Sequence, residues 1–144
     1  DGEQYYVVIP QNSSYFQPGK FILEPSSLDL KEVLQASMVL STSESATRHQ
    51  VNGLFQKFHI KPNIVLESKS IVTATELSLR GVGLTISSAS ILTKMRQTPI
   101  NLLPIDKNLI YIQFFIATKA DTEPSPALQK LINSFKALNI KSGI

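Results

Sequence analysis

The stretch Ile64–Ser90, IVLESKSIVTATELSLRGVGLTISSAS, decides the fold class. It opens on the apolar run Ile64–Leu66, passes through polar residues Glu67 to Ser70, and then turns helical, with Val72, Thr75 and Leu79 recurring at three- and four-residue steps. Gly81 stands where a helix stops, because glycine takes the left-handed backbone at no steric cost. A second apolar run, Leu84–Ile86, leads into Ser87, Ser88 and Ser90. Strand, helix and strand in this order predict a parallel crossover unit, normally right-handed. In such sheets ligands gather beyond the carboxyl ends of the strands, where helix N-termini present free N–H groups. Both strand ends here run directly into hydroxyl side chains, which suits binding rather than catalysis.

Working outward, the upstream chain repeats the pattern. Tyr5–Ile9 is a β-branched and aromatic run closed by Pro10, a predicted strand. Gln11–Gly19 is polar, with Pro18-Gly19 as turn punctuation. Asn12-Ser13-Ser14 matches a glycosylation sequon, read as chance since nothing marks the chain as secreted. Ser26 or Ser27 is expected to cap a short helix around Leu28–Leu34. Met38–Leu40 reads as a buried strand that exits into Ser41-Thr42-Ser43-Glu44-Ser45, a hydroxyl cluster that also caps the following helix. Val51, Leu54, Phe55 and Phe58 share one face of that helix, which ends near His59 before Pro62.

Downstream, Ile91–Met95 reads as a short helix, and Leu102–Ile105 and Leu109–Ala117 as strands. Ser125 and Pro126 open a last helix with an apolar stripe of Leu128, Leu131, Ile132, Phe135 and Leu138.

Composition narrows the function. The 144 residues suit one domain or a pair of small lobes, and 42% are hydrophobic, enough for a core. No apolar run approaches the ~20 residues that span a membrane. The absence of cysteine excludes disulfides, thiolate zinc sites and a cysteine nucleophile, and fits a reducing cytoplasm. A net charge of +3 with scattered Lys and Arg gives no phosphate-binding stripe, which argues against direct nucleic-acid contact. His49 and His59 have no partner pattern for a metal. Gly81-Val82-Gly83 is no dinucleotide fingerprint, since Ile86 replaces the third glycine and the motif follows a helix. Neither a nucleophile elbow nor a phosphate loop nor a carboxylate pair occurs, so no enzyme and no cofactor is expected. The opening Asp1-Gly2 suggests a fragment or processed product.

Taken together, the YYVVIP strand, Met38–Leu40 opening into Ser41–Ser45 with Arg48 beyond, PNIVLE leading to a helix that ends in GVGLTISS, and the PSPALQKLINSFKAL tail resemble the C-terminal effector-binding domain of LysR-type transcriptional regulators. The resemblance covers nearly the whole chain. It implies an α/β, type II periplasmic-binding-protein-like fold, with one complete lobe and a remnant of the second. Residues 1–19 would be a crossing strand and hinge, 20–106 the second lobe, and 107–144 the return crossing strand and C-terminal helix of the first lobe. It also implies truncation on the N-terminal side, because the family's winged helix-turn-helix, linker helix and first half of lobe one are not in this sequence.

By the same resemblance a small effector, an organic acid or amino acid, would sit between lobes. Ser41, Thr42 and Ser43 would form one cleft loop and Ser68, Ser70 and Thr73 the other, though each hydroxyl is also a plausible helix cap. Arg48 would offer a bidentate grip on a carboxylate or else remain a solvated surface residue. Glu67 would end its strand beside the cleft. The expected function is ligand sensing in a cytoplasmic homo-oligomeric regulator, the oligomer pairing through the Ser45–Phe58 helix and touching DNA only through the helix-turn-helix. The alternative is a lobe of a solute-binding transport receptor of the same fold. The final helix, without the sheet it should cover, is expected to dock on a neighbouring subunit or swap domains.

Overall fold

Five strands and four helices alternate through the described part of the chain, and their order follows the hydrophobic pattern closely. The computed structural model describes residues 3–95 and 98–110. These fall within one unit, Glu3–Tyr111. The expected C-terminal helix, and all but the first two residues of the expected strand Leu109–Ala117, lie outside the described residues.

The strands are β1 (Tyr5–Pro10), β2 (Ser37–Ser41), β3 (Asn63–Ser68), β4 (Thr85–Ser88) and β5 (Ile100–Pro104). β1 runs antiparallel between β4 and β5, with Tyr5 opposite Ser88 and Tyr6 opposite Pro104. β2 and β3 pair in parallel, Ser41 opposite Ser68, with a register shift after Met38 that leaves Val65 without a partner residue. The two sheets join at one parallel bridge, Met38 with Leu84. There the Val39 N–H donates to the Leu84 carbonyl at 2.7 Å, and the Leu84 N–H donates to the Ser37 carbonyl at 2.8 Å. Side by side the strands read β3, β2, β4, β1, β5. The crossover legible in Ile64–Ser90 therefore steps over β2, which lies between its two strands.

The carboxyl ends of β2, β3, β4 and β5 share one edge with the beginning of β1. Along the middle of the sheet the core is dry: Val7, Val8, Ile9, Met38 and Val39 have no exposed surface. β3 is different, for Val65 and Leu66 remain exposed at its outer side.

The helices are α1 (Leu30–Val33), α2 (Ala46–Lys57), α3 (Ile71–Leu79) and α4 (Ala89–Leu92). Two expectations change in detail. α1 is capped by Asp29, whose carboxylate accepts the Lys31 N–H, while Ser27 turns back and donates its hydroxyl to the Glu24 carbonyl. α4 begins at Ala89, capped by Ser88, rather than at Ile91. Along α3 the buried face is Ala74, Thr75 and Ser78, not the larger Val72, which is exposed, or Leu79, which is half-buried. Small side chains let this helix lie close on β1, β2 and β4.

Both long helices end in the same way. The N–H of Gly81, in the left-handed region at φ +90°, donates to the Ser78 carbonyl, and the Val82 N–H reaches back to Leu77. At the end of α2, His59 takes the left-handed position at φ 57°, its N–H on Gln56 and the Ile60 N–H on Phe55. These bonds satisfy carbonyls that the helix ladder leaves open. Of the apolar face expected on α2, Val51, Leu54 and Phe55 are buried, and Phe58 forms the C-cap.

The polar loop after β1 is held from below by Asn101. Its carboxamide accepts the Gln17 N–H at 2.5 Å and donates to the carbonyls of Gln17 and Lys20, while the residue itself is fully buried on β5.

Gly83 sits at the seam between the sheets, where an added Cβ would lie 2.8 Å from the Ser37 carbonyl oxygen. Gly53, in the middle of α2, has open space at the same position. Gly83→Ala is expected to lower the unfolding free energy by about 1–3 kcal/mol through overpacking against backbone. Gly53→Ala is expected to raise it by about 1 kcal/mol by removing a helix-interior glycine. Urea denaturation of both variants checks the pair, and a tolerated Gly83→Ala would contradict the close approach.

Candidate functional site

Each of β2, β3 and β4 is followed within a few residues by a helix, and each helix begins on a serine. Ser45 accepts the Arg48 N–H at 2.9 Å, Ser70 accepts the Thr73 N–H at 3.3 Å, and Ser88 accepts the Ile91 N–H at 3.4 Å. Three helix N-termini thus gather at the edge where the strand ends meet. Each leaves first-turn N–H groups outside its own hydrogen-bond ladder and carries a partial positive charge. At α4 that charge is already answered, since the Glu3 carboxylate accepts the Ser90 N–H at 2.8 Å. The starts of α2 and α3 have no such acidic neighbour in their first turns.

The residues expected at this edge divide into two groups. Thr42 is half-buried, and its N–H donates to the Ser68 carbonyl at 2.9 Å, which ties the exit of β2 to the exit of β3. Ser43, Ser70 and Thr73 are exposed and Ser68 is partly so. The Ser68 hydroxyl accepts the Ser70 N–H at 3.2 Å, which shapes the turn into α3. The two hydroxyl loops are therefore joined by backbone, as adjacent walls of one edge.

Ser41 and Arg48 face inward instead. Ser41 is buried, its hydroxyl 2.7 Å from that of Ser45. Arg48, expected either as a bidentate clamp for a ligand or as a solvated surface group, is not a solvated surface group. It is only 9% exposed. Its Nη1 donates to the Ser41 carbonyl at 2.7 Å and pairs with the Glu67 carboxylate, and its Nε donates to Asn52 at 2.9 Å. With Nε and Nη1 both engaged, each of the two bidentate faces of the guanidinium, Nε/Nη2 and Nη1/Nη2, already has one donor committed to the protein. What Arg48 does is bind the end of β2, the end of β3 and the second turn of α2 into one unit. Nearly buried arginines need such partners, because an unpaired buried charge is costly.

Other residues at the edge were not singled out from the sequence as site residues. Tyr5 opens β1 and lies opposite Ser88 in the sheet. Burial raises the phenol above its ordinary 10.0, with a hydrogen bond to the Thr47 side chain pulling the other way and the Glu3 charge adding to the rise. Behind the edge, Ser87 and Thr75 share a buried hydroxyl pair at 2.9 Å, and Thr75 also donates to the Ile71 carbonyl at 2.7 Å. Only the run of serines after Ile86 hinted at this polar layer. Among the described residues no group of three or more His, Asp or Glu is placed to hold a metal ion, and no helix is long and apolar enough to cross a membrane.

Strand ends and helix N-termini that converge on a hydroxyl-lined edge are the arrangement by which open α/β sheets bind ligands. The sequence matches the LysR substrate binding domain over residues 3–139, and the chain belongs to that family. The fold is the type II periplasmic-binding-protein-like fold of that family, whose class is regulatory rather than enzymatic.

Solved structures with the same fold include the CcmR regulatory domain of Synechocystis PCC6803 in complex with 2-PG. It is 16% identical, with a TM-score of 0.60 over 95% of this chain and 63% of that one. The BenM effector binding domain with its effector benzoate is 15% identical, with a TM-score of 0.54 over 99% of this chain and 62% of that one. Full-length CbnR complexed with its target DNA is 22% identical, with a TM-score of 0.55 over 74% of this chain and 36% of that one. The chain thus spans less than two thirds of each of these structures. No curated protein matches the sequence.

Arg48→Ala removes a buried cation and strands the Ser41 carbonyl and Glu67; a loss of about 3 kcal/mol in unfolding free energy is expected. Glu67→Gln, at a side chain 46% exposed, is expected to cost less than about 1 kcal/mol. Chemical denaturation distinguishes the two, and equal costs would show that Arg48 does not hold the strand ends together. Tyr5 supplies a pH test. Its raised folded-state pKa means that its contribution is complete below pH 10.0 and is lost as pH rises through the folded value. The stability difference between the wild-type chain and Tyr5→Phe is therefore expected to be flat below that pH and to shift against the wild type above it.

Proposed function

We propose that this chain is the ligand-sensing part of a LysR-type transcriptional regulator, and that its effector is a small carboxylate held at the strand-end edge. The observation that carries the reading is the meeting of two open helix N-termini, of α2 and α3, with the hydroxyls of Thr42, Ser43, Ser68, Ser70 and Thr73. Hydroxyl donors, unbonded first-turn N–H groups and the positive ends of two helices form a set that suits an anion. Ser41 and Arg48 belong to the frame behind them and set the spacing between the loops. Benzoate in the BenM domain is a ligand of this chemical kind, which supports the ligand class.

In this reading residues 20–106 form one lobe, 1–19 and 107–144 connect it to the other, and the effector closes between the two. It is bound, not transformed. Signalling follows from population shift: a ligand that prefers one arrangement of the lobes moves the equilibrium toward it, and the oligomer's geometry moves with it. DNA contact belongs to a winged helix-turn-helix outside these residues, and the working compartment is the cytoplasm. The family match favours a regulator over a transport receptor built on the same fold.

A thermal-shift screen of the 144-residue chain against small carboxylates tests the proposal. Ligand at about a hundred times its Kd stabilises by ~2.7 kcal/mol, a rise of several degrees in Tm. Thr42→Ala and Ser70→Ala are expected to weaken the response while leaving the unliganded Tm within a few degrees of wild type. A hit untouched by both substitutions would place the ligand elsewhere.

A further inference from the structure

A cavity of about 390 Å³ opens beside the last turn of α3, lined by Glu76, Leu79 and Arg80 on that side and by Lys94, Met95 and Thr98 on the other. It is separate from the strand-end edge: α3 starts at that edge and ends here. The chemistry of the lining is mixed in a particular way. Two cations and one carboxylate border it, and among the described residues none of the three forms an ion pair, although Glu76 and Arg80 stand one helical turn apart. One wall is apolar, formed by Leu79 and Met95. It continues into a small neighbouring hollow that shares Leu79, Met95 and Thr98 and adds Phe21, Leu92, Ile100 and Leu102. The Thr98 hydroxyl is buried and has no hydrogen-bond partner among the described residues. Buried polar atoms normally find one, so an orphan beside a cavity marks a position that a bound group would satisfy.

We infer that this cavity is a second ligand site, and that its ligand class is a free α-amino acid with an apolar side chain. Arg80 and Lys94 would receive the carboxylate through charge-assisted hydrogen bonds. Glu76 would receive the ammonium, at the C-terminal end of a helix whose dipole favours cations. The apolar side chain would lie against Leu79 and Met95, toward Phe21, and the Thr98 hydroxyl would complete its hydrogen bonding on the ligand. A simple anion would leave Glu76 facing it, and a simple cation would meet Arg80 and Lys94. Among the described residues, a zwitterion answers all three charges. Because α3 spans from this cavity to the effector edge, occupancy here would act on the same helix that caps the first site.

Isothermal titration of the 144-residue chain with three probes of one shape tests this: L-leucine, its keto acid 4-methyl-2-oxopentanoate, and 3-methylbutylamine. Leucine is expected to bind saturably and the amine not at all, with the keto acid at least about tenfold weaker than leucine. Arg80→Ala and Lys94→Ala are each expected to weaken leucine about tenfold. Glu76→Gln is expected to weaken leucine by a similar factor and to leave the keto acid unchanged. All three positions are solvent-exposed, and far-ultraviolet circular dichroism checks that the variants fold. The proposal is overturned by leucine binding no tighter than about 10 mM. Keto acid binding as tight as leucine, or leucine binding lost in Thr42→Ala and retained in Arg80→Ala, would overturn it too.

Discussion

The structure hangs on a pair of backbone hydrogen bonds. Val39 to Leu84 and Leu84 to Ser37 are the bonds by which the β2–β3 pair joins the three strands around β1. They form because Gly83 lets two main chains come closer than any side chain would allow. The Schellman turn that ends α3 delivers the chain to this point, with Gly81 setting the direction of exit. Two glycines two residues apart therefore do different jobs, one bending the chain and the other admitting a neighbour. Everything at the strand-end edge inherits its alignment from this seam, because it fixes where β2 and β3 stand relative to β4 and β1.

At the other end of the same strands, Arg48 performs the matching task with side-chain chemistry. It reaches from α2 to the last carbonyl of β2 and to Glu67 on β3, where the backbone pairing ends. The guanidinium suits this place because its donors lie in a fixed plane. A lysine would supply the charge without the three separate directions. The arrangement makes the two hydroxyl loops a single surface rather than two independent caps.

Much of this was legible beforehand. The strand of Met38–Leu40, the α2 stripe of Val51, Leu54 and Phe55, the stop at Gly81 and the hydroxyl runs after the strands all follow from local pattern, and local pattern is what a sequence displays directly. Three features were not. The α3 face is built of Ala74, Thr75 and Ser78, and a reading weighted by hydrophobic size looks past small residues toward Val72. The fate of Arg48 depends on Glu67 and Asn52 being beside it, which no spacing announces. Tyr5 lies opposite Ser88 only because β1 inserts antiparallel between β4 and β5, a pairing of an early segment with later ones. The cap of α1 on Asp29 rather than Ser26 or Ser27 is a smaller case, settled by Ser27 turning to Glu24.

That insertion of β1 also governs how the domain comes into being. The strand carries Val7, Val8 and Ile9, which have no exposed surface, yet its neighbours are Thr85–Ser88 and Ile100–Pro104. Synthesis proceeds at about 5–20 residues per second, so β1 waits several seconds on the ribosome with neither flank available. Contacts so distant in sequence also slow the closing step itself. Made before both of its neighbours, this apolar strand is enclosed on both sides only once β5 has been added.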